Sequence, residues 1–124
     1  MPPTRGLLVV TEDASLGREA RLAFPSDFDV VVCADAREAW SELQGWTPAA
    51  LVVDLLSGSA GGFALGRDMS QDPRLRDVPI LMLLDRHQDE WLAREGGAAA
   101  TLTKPVETPE LVATTLDLVG VDAK

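Results

Sequence analysis

The sequence predicts an α/β fold, a three-layer doubly wound (βα)5 sandwich around a five-stranded parallel sheet, on three observations. Short apolar runs recur along the chain, segments with helical signatures separate them, and the runs are apolar throughout rather than alternating. Continuous apolar character means that both faces of a strand are covered, as in a parallel sheet between two helical layers. Right-handed crossovers then follow from the β-α rhythm.

The runs are Leu7 to Val10, Val30 to Cys33, Leu51 to Val53, Ile80 to Leu84 and a weaker Ala98 to Leu102. All are too short for helices, and the first four favour β-branched or large aliphatic residues. The first helix is expected over Ser15 to Phe24, with Leu16, Ala20, Ala23 and Phe24 on one face and Pro25 as its stop. Asp35 caps a second helix, Ala36 to Leu43, that ends before Gly45. Gly62 to Ser70 gives the third, and Gln88 to Glu95 a shorter fourth ended by Gly96-Gly97. In the last, Thr108 is the expected cap and Pro109 the first helical residue, ahead of the stripe Leu111, Val112, Thr115, Leu116 and Val119.

Composition narrows the function. The 124 residues, 46% hydrophobic and 25% charged, suit one compact domain spanning 1–124. Twenty acidic against eleven basic residues give a net charge of -9, which disfavours direct contact with nucleic acid or an anionic membrane and favours cations and basic protein surfaces. The single cysteine, Cys33, falls inside an apolar run and reads as a buried structural thiol. No apolar stretch approaches a membrane span and the start lacks the core of a signal peptide, so a soluble, cytoplasmic protein is expected.

Parallel strands point one way, so the residues after each run meet at the carboxyl edge, where such folds bind ligands. These are Glu12 and Asp13, Asp35, Asp54, Asp85, and Lys104-Pro105. Clustered carboxylates repel unless a cation or proton intervenes. Oxygen donors without a nearby histidine or thiolate suit a hard ion such as Mg2+, which accepts one or two carboxylates plus waters and phosphate oxygens. One lysine opposite the acids balances a phosphoryl group, and a carboxylate can itself attack phosphorus to give an aspartyl phosphate.

In this order and spacing the residues resemble the receiver domains of two-component response regulators. Leu8-Val-Val-Thr-Glu12-Asp13 is similar to that family's first strand and acidic pair, Leu51-Val-Val-Asp54 to its phosphoacceptor strand, Val78-Pro-Ile-Leu-Met-Leu83 to its fourth strand, and Leu102-Thr-Lys104-Pro105 to its lysine segment. The resemblance implies a flavodoxin-like, CheY-like sheet of order 2-1-3-4-5. Asp54 would be the phosphoacceptor and Lys104 its catalytic partner, contacting the phosphoryl group, and the Lys104-Pro105 bond would be cis. Asp13 and Asp54 would hold Mg2+, with the Leu56 carbonyl, and Glu12 directly or through water. It further implies a phosphoacceptor regulatory domain rather than an enzyme. Its expected partners are a sensor histidine kinase or phosphotransfer protein upstream, and an effector or second copy on the face of the fourth helix, fifth strand and fifth helix.

Three positions depart from the family pattern. Leu84 replaces the Thr or Ser that bonds the phosphoryl oxygen, Asp85 replaces the small residue after it, and Thr101 replaces the switch aromatic. The loop after Asp54 carries Ser57-Gly58 in place of Met-Pro. The lost hydrogen bond to a charged group is worth about 1.5 to 3 kcal/mol of bias toward the phosphorylated state. Two readings therefore stand: a phosphoacceptor with a nonstandard switch, and a pseudo-receiver that works by protein contact independent of phosphate. Other enzymes of similar fold fit less well, since Leu56 stands where haloacid-dehalogenase-type phosphatases have a second Asp, and no Gly-x-Gly-x-x-Gly turn follows a strand. Trp40 and Trp46 are expected to pack around the second helix and His87 to open the fourth near the surface, while an exposed Trp91 would suit an interface.

Overall fold

The computed structural model describes residues 5–54 and 61–120, leaving aside the side chains of residues 61–63. In chain order it runs β1 (Arg5–Val10), α1 (Ala14–Ala23), β2 (Phe28–Cys33), α2 (Ala36–Leu43), β3 (Ala50–Asp54), α3 (Gly61–Ser70), β4 (Ile80–Leu84), a 3-10 turn (His87–Asp89), α4 (Glu90–Glu95), β5 (Ala100–Thr103) and α5 (Thr108–Val119). The five strands form one parallel sheet of order β2-β1-β3-β4-β5. This is the expected flavodoxin-like fold, and the Lys104-Pro105 bond is cis. Among the described residues no helix is long and apolar enough to cross a membrane.

Successive strand residues point to opposite faces, so the sheet feeds two cores. On one side Leu8, Val10, Leu51, Val53, Met82 and Leu84 meet Ala39 and Leu43 of α2, Leu65 and Met69 of α3, and Ala93 of α4. On the other Leu7, Val9, Val52, Leu81 and Leu83 meet Ala20 of α1, Phe24 at its end, and Leu111 and Leu116 of α5. The sheet is thus anchored by both layers, and its carboxyl edge is held to a fixed shape.

Local chemistry sets the helix ends. Asp35 accepts from the Glu38 amide at 2.8 Å while Glu38 reaches back to the Ala34 amide at 3.5 Å, a capping arrangement that starts α2 where the sequence predicts. Arg74 clamps the far end of α2, donating to the Leu43 carbonyl, the Trp46 carbonyl at 3.3 Å and the Thr47 hydroxyl at 3.2 Å. Trp46 returns onto α2 through an indole bond to Glu42 at 3.0 Å. Thr108 is the first residue of α5 rather than its cap; the cap position is Glu107, and the Thr108 hydroxyl instead donates to Glu19 of α1 at 3.0 Å. The fourth helix is shorter than Gln88 to Glu95, because residues 87–89 take the tighter 3-10 form, opened by the exposed His87.

Cys33 is buried at the end of β2, as expected. Burial, reinforced by Glu38, Glu42 and Asp35, pushes its thiol up from 9.0 to about 11. The folded chain thus keeps this proton across a window in which the unfolded chain releases it. The contribution is complete below pH 9.0 and is lost as pH rises toward about 11. Urea midpoints of the native chain and Cys33→Val at pH 8 and pH ~10.5 should therefore differ, with the native chain losing more; equal losses would exclude Cys33 as the cause.

Candidate functional site

Strand direction delivers the chemistry to one edge. Asp54 closes β3, Asp85 follows β4 and Lys104 follows β5, whose amide bonds back to the Leu84 carbonyl at 2.7 Å. The Lys104 ammonium lies 2.5 Å from Asp54 Oδ1 and 2.8 Å from Asp85 Oδ1, so one cation joins two carboxylates. The Asp54 side chain is 3% exposed, against 25% for Lys104 and 31% for Asp85. Burial opposes the charge on Lys104, but its bonds to Asp54 and Asp85 outweigh that and hold its pKa above the ordinary value.

The second oxygen of Asp54 is also engaged. Oδ2 accepts from the Thr11 hydroxyl at 2.8 Å, and the same hydroxyl oxygen accepts from the Asp13 amide at 3.0 Å. Thr11 is buried, and sequence reasoning overlooked it. The available signal was its place as the first residue past the apolar run of β1, at the strand end where a side chain meets the edge.

The expected metal ligands do not all converge. Asp13 Oδ1 caps α1, accepting from the Ser15 amide at 2.9 Å and the Leu16 amide at 3.3 Å. Glu12 is exposed and makes no hydrogen bond among the described residues. Leu56 lies outside the described residues, as do all of residues 55–60. Among the described residues no three His, Cys, Asp or Glu side chains gather to hold a metal ion. The carboxylates at this edge, Asp54 within it and Glu12 one residue past Thr11 in the chain, are oxygen donors of the kind a hard ion takes.

The other departures are now located. Leu84 is buried with Met82 and Val53 in the core beneath α3 and α4, so the position that lacks a hydroxyl serves packing. Thr101 sits half-buried on β5 opposite Met82. Beside the site a recess of about 590 Å³ is lined by Glu12, Asp13, Gly17, Arg18 and Arg21. On α4, Trp91 is 70% exposed.

No family model matches the sequence. The chain is 30% identical over 118 residues to the response regulator Rre1 of Synechocystis sp., which covers 91% of this chain and 51% of that protein. The chain spans about half the length of the curated relatives it matches. A response-regulator structure from Chloroflexus aurantiacus superposes with a TM-score of 0.84 at 28% identity, covering 94% of this chain and 98% of the other. The receiver domain of a sensor histidine kinase from Pseudomonas aeruginosa superposes with a TM-score of 0.79 at 20% identity over 94% of this chain and 98% of its own, and that protein carries a magnesium ion in its active site cleft. With its sheet order, its edge aspartate and its edge lysine, the chain is a CheY-like receiver domain of the response regulators.

Proposed function

We propose that this chain is a signal-transduction receiver that accepts a phosphoryl group on Asp54, taken from a sensor histidine kinase or phosphotransfer protein. The observation that carries this is the Asp54 carboxylate held between the Thr11 hydroxyl and the Lys104 ammonium at the sheet edge. In the transfer a carboxylate oxygen attacks phosphorus, the new O–P bond forms, and the bond from phosphorus to the donor nitrogen or oxygen breaks with its electron pair leaving on the donor. Thr11 orients Oδ2, and Lys104 supplies a point charge for a phosphoryl oxygen. Glu12 and Asp54 would hold Mg2+, with Asp13 through its uncapped oxygen and the Leu56 carbonyl as further ligands; when bound, the ion neutralises charge on the phosphoryl oxygens. The ion in the Pseudomonas receiver and the oxygen donors here both support that ligand choice. Output runs through altered contacts at α4, β5 and α5, where Trp91 offers an aromatic anchor to an effector or second copy.

Incubation with Mg2+ and acetyl phosphate followed by intact mass measurement is expected to give one phosphoryl adduct on the native chain and none on Asp54→Asn. A second reading, a pseudo-receiver acting by contact alone, draws on one observation: Lys104 is already satisfied by two carboxylates. An unmodified native chain under conditions that label an ordinary receiver would favour it.

A further inference from the structure

We propose that Asp85 is a positioning residue that, through Lys104, lowers the occupancy of the phosphorylated state; this rests on Asp54 being the acceptor. Asp85 Oδ1 is 2.8 Å from the Lys104 ammonium, nearly as close as Asp54 Oδ1 at 2.5 Å. The β4–β5 pairing that sets Leu84 beside Thr103 brings the two strand-end residues together, so the contact is fixed by the sheet.

Phosphorylation converts the Asp54 carboxylate to an acyl phosphate and moves its charge outward onto the phosphoryl oxygens. Lys104 must then follow those oxygens, but Asp85 still holds it and sets a second negative charge beside them. Leu84, buried in the core, contributes no hydroxyl that could offset the competition. Asp85 thereby acts on Lys104 as a resident stand-in for a phosphoryl oxygen. When water attacks phosphorus and the Asp54 O–P bond breaks, inorganic phosphate leaves and Lys104 again bonds both Asp54 and Asp85.

The test is the ratio of phosphorylated to unmodified chain at a fixed acetyl phosphate and Mg2+ concentration, read by intact mass. Asp85→Asn should raise this ratio about tenfold, one charged hydrogen bond discounted for partial exposure. The gain should persist in a Lys104→Arg background, which keeps the cation, and vanish in Lys104→Gln. Urea unfolding of the same set should show coupling between positions 85 and 104 whether or not any phosphoryl group is added. An adduct on the native chain that Asp85→Asn leaves unchanged overturns the inference and spares the acceptor reading. A gain that survives in Lys104→Gln also overturns it, since the effect would then be general repulsion. No adduct on any of these chains overturns both.

Discussion

Replacing Lys104 by methionine is expected to remove about 3 kcal/mol of folding free energy, at the lower end of what breaking a buried ion pair costs. The size follows from asymmetry. Lys104 bonds both carboxylates, and Asp54 is 3% exposed, so removal leaves a nearly buried charge with only the Thr11 hydroxyl as a described partner. It also leaves Asp54 and Asp85 facing each other without the cation between them. Neutralising the stranded acid should repair most of the damage, and Asp54→Asn/Lys104→Met is expected within about 1 kcal/mol of Asp54→Asn alone. Urea denaturation of the four chains at neutral pH checks this. Equal losses in Lys104→Met and the double variant would mean that the lysine contributes by its hydrocarbon stem and not by its charge.

The second large effect lies away from the acids. Gly66 of α3 packs directly on the Gly96 carbonyl at the end of α4, and a Cβ built at position 66 would overlap that oxygen. Gly66→Ala gains up to about 1 kcal/mol of helix propensity. Both sides of the contact are backbone, however, and overpacking of this kind costs about 1 to 3 kcal/mol or more, so a net loss of about 2 kcal/mol is expected. The turn that would have to yield is closely constrained: the Ala98 amide bonds to the Ala93 carbonyl, Ala99 to Ile80, and Gly97 has a φ of +99° that disfavours any other residue. Yielding would carry β5, and Lys104 after it, away from Asp54. A thermal melt of Gly66→Ala as stable as the native one would show that α3 shifts freely on the sheet.

Much of this was legible in the sequence, and the misses have identifiable causes. α2 and β4 fall where predicted because Asp35 caps the one and a run of uniformly buried residues defines the other. β5 begins two residues later than its apolar run suggests, since Ala98 is still bonded into the turn after α4. Strand order could not be read from the runs, which are alike in composition and carry no pairing information; it entered through the family resemblance. Asp54 and Lys104 were legible because parallel strands bring their ends together whatever the order. The metal role of Asp13 came with the family resemblance, and residue type alone did not show that the α1 amides also claim one of its oxygens. Thr11 was passed over as the tail of a strand. Which way Asp85 turns depended on where β4 stops, and a single residue of slip would have sent it to the opposite face.

The placement of the three indoles gives the chain two optical channels. Trp40 and Trp46 pack against the core around α2, and the Trp46 ring lies over Gly6 so closely that a Cβ there would overlap it. Trp91 stands in solvent on α4. Emission protected from an aqueous quencher such as iodide therefore reports whether the fold is intact, and the quenchable part reports whether anything covers α4. One spectrum with and without quencher separates unfolding from docking, with no label attached.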